Sequence, residues 1–149
     1  MAKRKVGYTT GVFDLFHIGH LNILKRAKQH CDYLIVGVTT DEEAKRIKNK
    51  VPVICFEERK QIVESIRYVD LVVPEDNEDK KIAWEKLKFD VIFKGSDWQG
   101  SKKWNDYESF FKPRGVEVVY FPYTEGTSST MLREVLHKII NREETNVRR

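Results

Sequence analysis

Two histidines three residues apart, His17 and His20, are the side chains of this sequence best suited to phosphate chemistry. They follow a short apolar segment and open a segment with a helical pattern, so both side chains lie on one face of the first turn. The N-terminus of a helix favours anions, and two imidazoles there can donate hydrogen bonds to one phosphate. Gly19 would allow that phosphate to approach the backbone. The segment predicts a phosphate-binding site, although such a pair can also simply pack at the start of a helix.

Basic residues downstream could neutralise further negative charge. Lys48 and Lys50 belong to segment 39–50, which we expect to be a flexible loop that closes over reactants. Transfer of a phosphoryl group requires positive charge near the phosphorus atom and near the incoming oxygen. Arg59 opens the next predicted helix. The alternative interpretation is that these residues form an ordinary solvated surface.

Two later segments have compositions suited to ligand binding. Trp98, after the fourth predicted strand, could form a flat apolar wall, or it could simply close a loop. Gly126 permits a tight turn before the last predicted helix. Ser128, Ser129 and Thr130 are residue types that cap helices, and their hydroxyls together with the helix N–H groups could bind terminal phosphates.

Strand-like and helical patterns alternate along the chain. Apolar runs predict strands at 5–10, 33–38, 71–73, 91–94 and 116–121, and helical periodicity predicts helices at 19–30, 57–68, 80–88, 104–111 and 129–142. This alternation is typical of an α/β fold with a Rossmann-like parallel sheet and helices on both faces. Ligands of such sheets bind beyond the carboxyl ends of the strands. We expect a single domain, 1–142, and a frayed tail, 143–149.

Composition restricts the functional classes. The net charge of +4 comes from 27 basic and 23 acidic residues that are largely interleaved, and the lysine segment carries no aromatic residue, which disfavours a nucleic-acid partner. No apolar run approaches the roughly 18 residues of a membrane span, and the start of the chain does not resemble a signal peptide. We therefore expect no membrane partner and a cytoplasmic location. Cys31 and Cys55 match no metal spacing, and we interpret both as reduced, buried and inert.

The His-x-Gly-His motif, which follows Gly11-Val12-Phe13-Asp14, resembles the HxGH superfamily of nucleotidyltransferases, and the tract Phe13–His17 resembles its cytidylyltransferase branch. The resemblance implies catalytic roles for His17, His20 and Lys48, with Lys50 as the alternative lysine. It implies nucleotide contacts from Gly11, Val12, Phe13, Asp14, Gly19, Lys94, Gly95, Asp97, Thr124, Gly126, Ser128, Ser129 and Thr130. It implies acceptor contacts from Lys50, Arg59, Arg67, Trp98 and Tyr123.

Segment 64–70, which contains Arg67, resembles glycerol-3-phosphate cytidylyltransferases. That resemblance implies that CTP and glycerol 3-phosphate form CDP-glycerol and pyrophosphate, for a cell-wall or capsule polymer. It also implies a homodimer, and Mg²⁺ accompanying CTP, with Asp14 as a possible ligand. Ethanolamine phosphate and choline phosphate remain alternative acceptors, and ATP with a sugar phosphate is a weaker option. A different class of protein, a nucleotide sensor without catalysis, also stays open.

Four positions depart from the family pattern. Tyr123 stands where the motif Arg-Thr-Glu-Gly-Ile-Ser-Thr-Thr begins with arginine, and Val12 stands where the family has threonine. Ser96 replaces the first acid of Gly-Asp-Asp-Trp, and Phe56 replaces the tyrosine of Tyr-x-x-Arg. These departures bear on the acceptor and the phosphate contacts more than on the class of reaction.

Overall fold

A five-stranded parallel β-sheet forms the centre of the computed structural model, which describes residues 3–122 and 128–147. The strands lie in the order β3-β2-β1-β4-β5, and Gly7 of β1 pairs with Leu34 of β2 on one side and with Val91 of β4 on the other. Their bounds are β1 Val6–Gly11, β2 Tyr33–Thr39, β3 Leu71–Glu75, β4 Val91–Gly95 and β5 Glu117–Phe121. Strands β2 and β3 lie on one side of β1, and β4 and β5 lie on the other. The strand order therefore switches between β1 and β4, and ligands of open α/β sheets bind at such a switch point.

Helices cover both faces of the sheet. They are α1 Ile18–Gln29, α2 Asp41–Lys48, α3 Phe56–Glu64, α4 Lys80–Leu87, α5 Lys102–Phe111 and α6 Ser129–Val147. One apolar cluster joins Leu24 of α1 and Val63 of α3 to the sheet, and a second joins Trp104 and Phe111 of α5 to its other face. The prediction of a parallel sheet between two helical layers is confirmed.

Segment 41–48 is a helix, so the prediction of a flexible lysine loop is wrong. The Thr40 hydroxyl accepts a hydrogen bond from the N–H of Glu43, and Asn49 ends the helix in the left-handed conformation with φ 55°. Acidic residues occupy the first turn and basic residues the last, an order that complements the helix dipole. The catalytic lysine of the prediction, Lys48, is therefore held on the last turn of a capped helix.

Three further expectations are corrected. Helix α3 ends at Glu64 rather than at residue 68, and the Ser65 hydroxyl donates to the carbonyl of Gln61 at this end. Helix α6 continues to Val147, beyond the expected end at 142. Both cysteines are free, as expected, but Cys55 is exposed and Cys31 only partly buried. Within the described ranges, no helix is both long and apolar enough to cross a membrane.

Candidate active site

His17 and His20 cap the start of α1 reciprocally. The Gly19 N–H donates to His17 Nδ1 at 3.0 Å, and the His17 N–H donates to His20 Nδ1 at 3.3 Å. The ring centroids lie 3.9 Å apart. Because each Nδ1 is an acceptor, each neutral ring carries its proton on Nε2, which can donate to a ligand. The Gly19 amide, which the sequence suggested for close contact with phosphate, is directed at His17 instead.

Both imidazoles are neutral at pH 7. Burial lowers the pKa of His20 to about 4, with a smaller contribution from neighbouring His17, and burial also lowers the pKa of His17. The neutral pair can therefore donate hydrogen bonds to an anion, and positive charge in the site comes from other residues.

Asp14 anchors the loop between β1 and α1. Its buried carboxylate accepts from the N–H groups of Val53 at 2.8 Å and Ile54 at 2.9 Å, and it pairs with Arg133 of α6. Burial alone would raise the pKa of this carboxyl, but the Arg133 guanidinium and the two N–H groups lower it overall. The carboxylate thus joins three segments of chain beneath the site.

The hydrogen bonds and the ion pair of Asp14 bear on its expected role as a metal ligand. Three donors already engage the Asp14 carboxylate, which leaves it little capacity for a cation. In residues 3–122 and 128–147, no three His, Cys, Asp or Glu side chains cluster in a way that could hold a metal ion. The described residues therefore provide no cluster that holds a cation by protein side chains alone, and Asp14 as a ligand of nucleotide-bound Mg²⁺ stays a prediction.

Three adjacent cavities open at the carboxyl edge of the sheet, and Lys48 lines all of them. The largest, about 330 Å³, lies between the histidine pair, the end of β4 and the start of α6. A second, about 250 Å³, reaches Asp14 and Arg133. A third, about 170 Å³, extends toward the end of β3.

Two lysines concentrate positive charge where the cavities meet. Burial lowers the pKa of Lys48, with a further contribution from nearby Arg133. Burial also lowers the pKa of Lys94 to about 8, with neighbouring Lys80 adding to the effect. Partly dehydrated ammonium groups of this kind interact more strongly with a phosphate than lysines in bulk water do.

The structure brings most of the predicted nucleotide residues together. The largest cavity is lined by His17, Gly19, His20, Lys48, Lys94, Gly95, Asp97, Trp98, Ser128, Ser129 and Thr130, and the second adds Gly11, Val12, Phe13 and Asp14. Tyr123, Thr124 and Gly126 lie outside the described residues.

The two serines at the start of α6 have structural partners of their own. Ser129 Oγ donates to the carbonyl of Asp14, and Ser128 Oγ accepts from the N–H of Met131 as a helix cap. Thr130 is exposed beside the largest cavity. The N-terminus of α6 therefore faces the site, and its side chains also hold the helix against the β1–α1 loop.

Arg59 is buried rather than presented to an acceptor. Its side chain has 0% relative exposure, and its guanidinium donates to the carbonyls of Ile54, Val12 and Thr39 and pairs with Asp41 at 2.7 Å. This arginine fastens α3 to the ends of β1 and β2. The prediction that Arg59 contacts the acceptor is corrected, because its donors already bind the protein.

Arg67 lies near the amino ends of the strands, opposite the cavities. It precedes β3, and its guanidinium donates to the hydroxyl of Tyr68, whereas the cavities lie where the strands end. A five-residue strand such as β3 spans roughly 16 Å, so Arg67 cannot reach the cavities of its own chain. Lys50 is exposed and lines none of the three cavities. Neither residue occupies the acceptor position predicted for it within this chain.

Sequence reasoning missed several residues of the site. Arg133 reaches the second cavity, and Glu75 and Lys80 form a buried ion pair at 2.6 Å in the third. Arg133 lies on the face of α6 that also carries Ser129, a spacing of four that the helical period makes visible. Glu75 is the last residue of β3, and its position at the carboxyl end of a strand also indicates a site residue.

Neutral imidazoles and lysines at the switch point of a parallel sheet are suited to transfer of a nucleotidyl group, which places the protein among the α/β nucleotidyltransferases. The chain belongs to the cytidylyltransferase-like family, whose family model matches residues 8–135.

Relatives and solved structures agree with this assignment. The chain is 42% identical to a glycerol-3-phosphate cytidylyltransferase of Staphylococcus aureus, over 91% of this chain and 96% of the relative. It is 46% identical to the Bacillus subtilis enzyme of the same name, over 85% and 92%. Its fold is similar to a lipopolysaccharide core biosynthesis protein from Thermoplasma volcanium, with a TM-score of 0.69, 26% identity and coverage of 84% of this chain and 100% of the other.

Proposed function

We propose that this protein transfers the cytidylyl group of CTP to glycerol 3-phosphate, giving CDP-glycerol and pyrophosphate. The observation that carries the proposal is the position of Lys48 at the junction of a larger cavity beside the histidine pair and a smaller cavity beyond it. Two substrates in these cavities would meet at one ammonium group. The two relatives named for this reaction, similar over most of the chain, support the choice of acceptor.

The reaction is an in-line displacement at the α-phosphorus of CTP. A phosphate oxygen of the acceptor forms the new P–O bond, the bond to the β-phosphate breaks, and pyrophosphate leaves. The Nε2–H groups of His17 and His20 donate to phosphate oxygens, and Lys48 neutralises charge on the acceptor side. Such catalysis rests on positioning and charge stabilisation rather than on a covalent intermediate.

The departing pyrophosphate lies toward the start of α6. Thr130 and the N-terminal N–H groups of that helix border the largest cavity, where they favour an anion. Arg133 borders the adjoining cavity and adds a cation at the same end. Its Nε is buried and has no hydrogen-bond partner among the described residues.

Mg²⁺ remains part of the proposal as a companion of CTP. The phosphate oxygens would hold it, since the Asp14 carboxylate is engaged by protein donors. When bound, the cation would neutralise triphosphate charge. A homodimer, a cytoplasmic location and a role in forming cell-wall or capsule polymers also stay proposals, as does the exclusion of nucleic acid as a partner.

Pyrophosphate release tests the proposal. CTP, ATP, GTP and UTP are each combined with glycerol 3-phosphate, ethanolamine phosphate, choline phosphate and a sugar phosphate, with Mg²⁺. We expect release with CTP and glycerol 3-phosphate, and its loss in His17→Ala. Release with another acceptor would keep cytidylyl transfer and reject glycerol 3-phosphate. Binding of CTP without release from any pair would favour a nucleotide sensor instead.

A further inference from the structure

The cavity of about 170 Å³ differs in character from the one beside the histidines. It shares Thr10, Lys48, Lys94 and Trp98 with that larger cavity. Its other walls come from the ends of β1, β2 and β3, from α2, from the start of α4 and the turn before it, and from α5. The volume suits a small molecule rather than a nucleotide. If CTP occupies the larger cavity, this one holds whatever is attached to the attacking phosphate.

Both carboxylates in this cavity are already paired. Glu75 accepts from Lys80 at 2.6 Å and from the Thr39 hydroxyl at 2.8 Å, and the Glu75 and Lys80 side chains are only 5% and 7% exposed. Glu78, at the rim, lies 3.1 Å from Lys103 of α5 and 3.9 Å from Arg46 of α2. With Lys48 and Lys94 also present, four ammonium groups face two carboxylates. A cationic headgroup entering here would meet an excess of positive charge.

The aromatic walls are also occupied. Lys94 Nζ lies 5.0 Å from the ring centroid of Trp98 and 5.7 Å from that of Trp104. Quaternary ammonium ligands are commonly bound over aromatic faces of this kind. Here the ammonium group of the protein itself takes that position over both tryptophans, so Tyr107 is the one described aromatic wall of the cavity that Lys94 leaves to a choline headgroup.

We propose that Glu78 and Lys103 are the specificity-determining pair of this cavity, and that they favour the hydroxyl-bearing glycerol headgroup over a cationic one. The inference rests on the proposed cytidylyl transfer. A hydroxyl both donates and accepts, so it can bridge a carboxylate and an ammonium without disturbing their charge balance. Ethanolamine phosphate and choline phosphate present only cationic headgroups to this pair.

The chain segment that contains Glu78 is held in place by contacts that do not involve Lys103. The N–H of Glu78 donates to Glu43 at 2.7 Å, and Arg46 binds the same Glu43 carboxylate. A charge change at position 103 therefore alters the rim of the cavity without releasing the segment that carries Glu78. Lys102 is an exposed neighbour on α5 that lines none of the three cavities, which makes it a matched control.

Steady-state kinetics of Lys103→Glu and Lys102→Glu test the inference, with CTP and either glycerol 3-phosphate or ethanolamine phosphate. In Lys103→Glu we expect the ratio of kcat/KM for ethanolamine phosphate to that for glycerol 3-phosphate to rise about fivefold, as for one partly exposed charge contact. The KM for CTP should change less than about twofold, because the nucleotide cavity is untouched. Lys102→Glu should leave the ratio unchanged.

A second variant covers the case in which Lys103→Glu does not fold. Glu78→Gln should raise the KM for glycerol 3-phosphate and leave the KM for CTP unaltered. An active wild-type enzyme that prefers ethanolamine or choline phosphate would overturn the inference and leave cytidylyl transfer intact. Ratios that do not change in Lys103→Glu, or that change equally in the control, would also overturn it. A wild-type enzyme without turnover on either acceptor would instead overturn the proposed function.

Discussion

The histidine pair has two functions that can be separated atom by atom. Nδ1 of each ring accepts a backbone N–H and shapes the start of α1, while Nε2–H is the donor available to phosphate. An asparagine amide places a polar atom near the Nδ1 position, whereas a glutamine amide reaches the Nε2 position. Substitution at His17 can therefore keep one function and remove the other.

We expect His17→Asn to lower kcat by about 10²- to 10³-fold, the usual loss for one donor to the reacting phosphate. Its midpoint of thermal unfolding should stay close to wild type, because asparagine is a good helix cap. Steady-state kinetics and thermal unfolding measure the two effects. His17→Gln, which retains a donor near Nε2, should lose less activity. Full activity in His17→Asn would contradict the assigned role.

Lys94 should impose an alkaline limit on catalysis. Burial lowers its pKa to about 8, so the free enzyme loses this positive charge as pH rises through that value. The substrate phosphates are already fully ionised there, since their last pKa lies near 6. We expect kcat/KM for CTP to fall between about pH 8 and pH 9 in the wild type, because this parameter reports groups of the free enzyme. In Lys94→Met that alkaline fall should be absent, and its persistence would assign it to another group.

At the scale of elements, Arg59 determines where three chain segments meet. Its buried guanidinium binds the ends of β1 and β2, the segment before α3, and Asp41 at the start of α2. Because α2 carries Lys48 on its last turn, the same contacts set the position of Lys48, the lysine proposed to act in catalysis. Any effect of Arg59 on the proposed reaction therefore passes through the elements that it joins.

Arg59→Met should destabilise the fold by about 3–5 kcal/mol, because it leaves a carboxylate and several carbonyls without their cationic partner. Urea unfolding monitored by tryptophan fluorescence gives the free energy. The neighbouring Lys60→Gln serves as the control, since the 3.7 Å ion pair of Lys60 with Glu64 is partly exposed and worth about 1 kcal/mol or less. Equal stability of the two variants would contradict the role of Arg59.

The sequence predicted the strands and most helices correctly, but it did not predict helix α2 or the positions of two arginine side chains. Strand positions followed from continuous apolar runs, and the site followed from residues just beyond them, such as His17 and Thr130. The helix at 41–48 was missed because its charged residues suggested a mobile surface, although Thr40 and the ordered charges predict a capped helix. Arg59 and Arg67 were misplaced because a motif gives a residue type but not the direction of its side chain or the edge of the sheet where it lies.

At the scale of the whole molecule, the alternating patterns were sufficient for a parallel sheet, and its helical layers follow from burial on both faces. The cavities could not be derived in the same way. Each is formed by loops far apart in sequence, as when Asp14 meets both Val53 and Arg133. Charge balance in the smaller cavity depends on such pairings, which composition alone does not determine.

We also expect the protein to form a homodimer. Helix α6 exposes several large apolar side chains, among them Val135, Leu136, Ile139 and Ile140, each more than 40% exposed. Light scattering coupled to gel filtration should give twice the chain mass of 17.6 kDa. A mass that stays at the value of one chain across a wide concentration range would contradict the prediction.

Identification of the product tests the central claim most directly. Purified protein is incubated with CTP, glycerol 3-phosphate and Mg²⁺, and the reaction is followed by ³¹P NMR. The proposed reaction predicts that the three CTP signals are replaced by pyrophosphate and by the two coupled signals of CDP-glycerol, in equal amounts, and that His17→Asn slows this conversion. Appearance of inorganic phosphate and CDP without CDP-glycerol would show hydrolysis at the γ-phosphate and would contradict cytidylyl transfer.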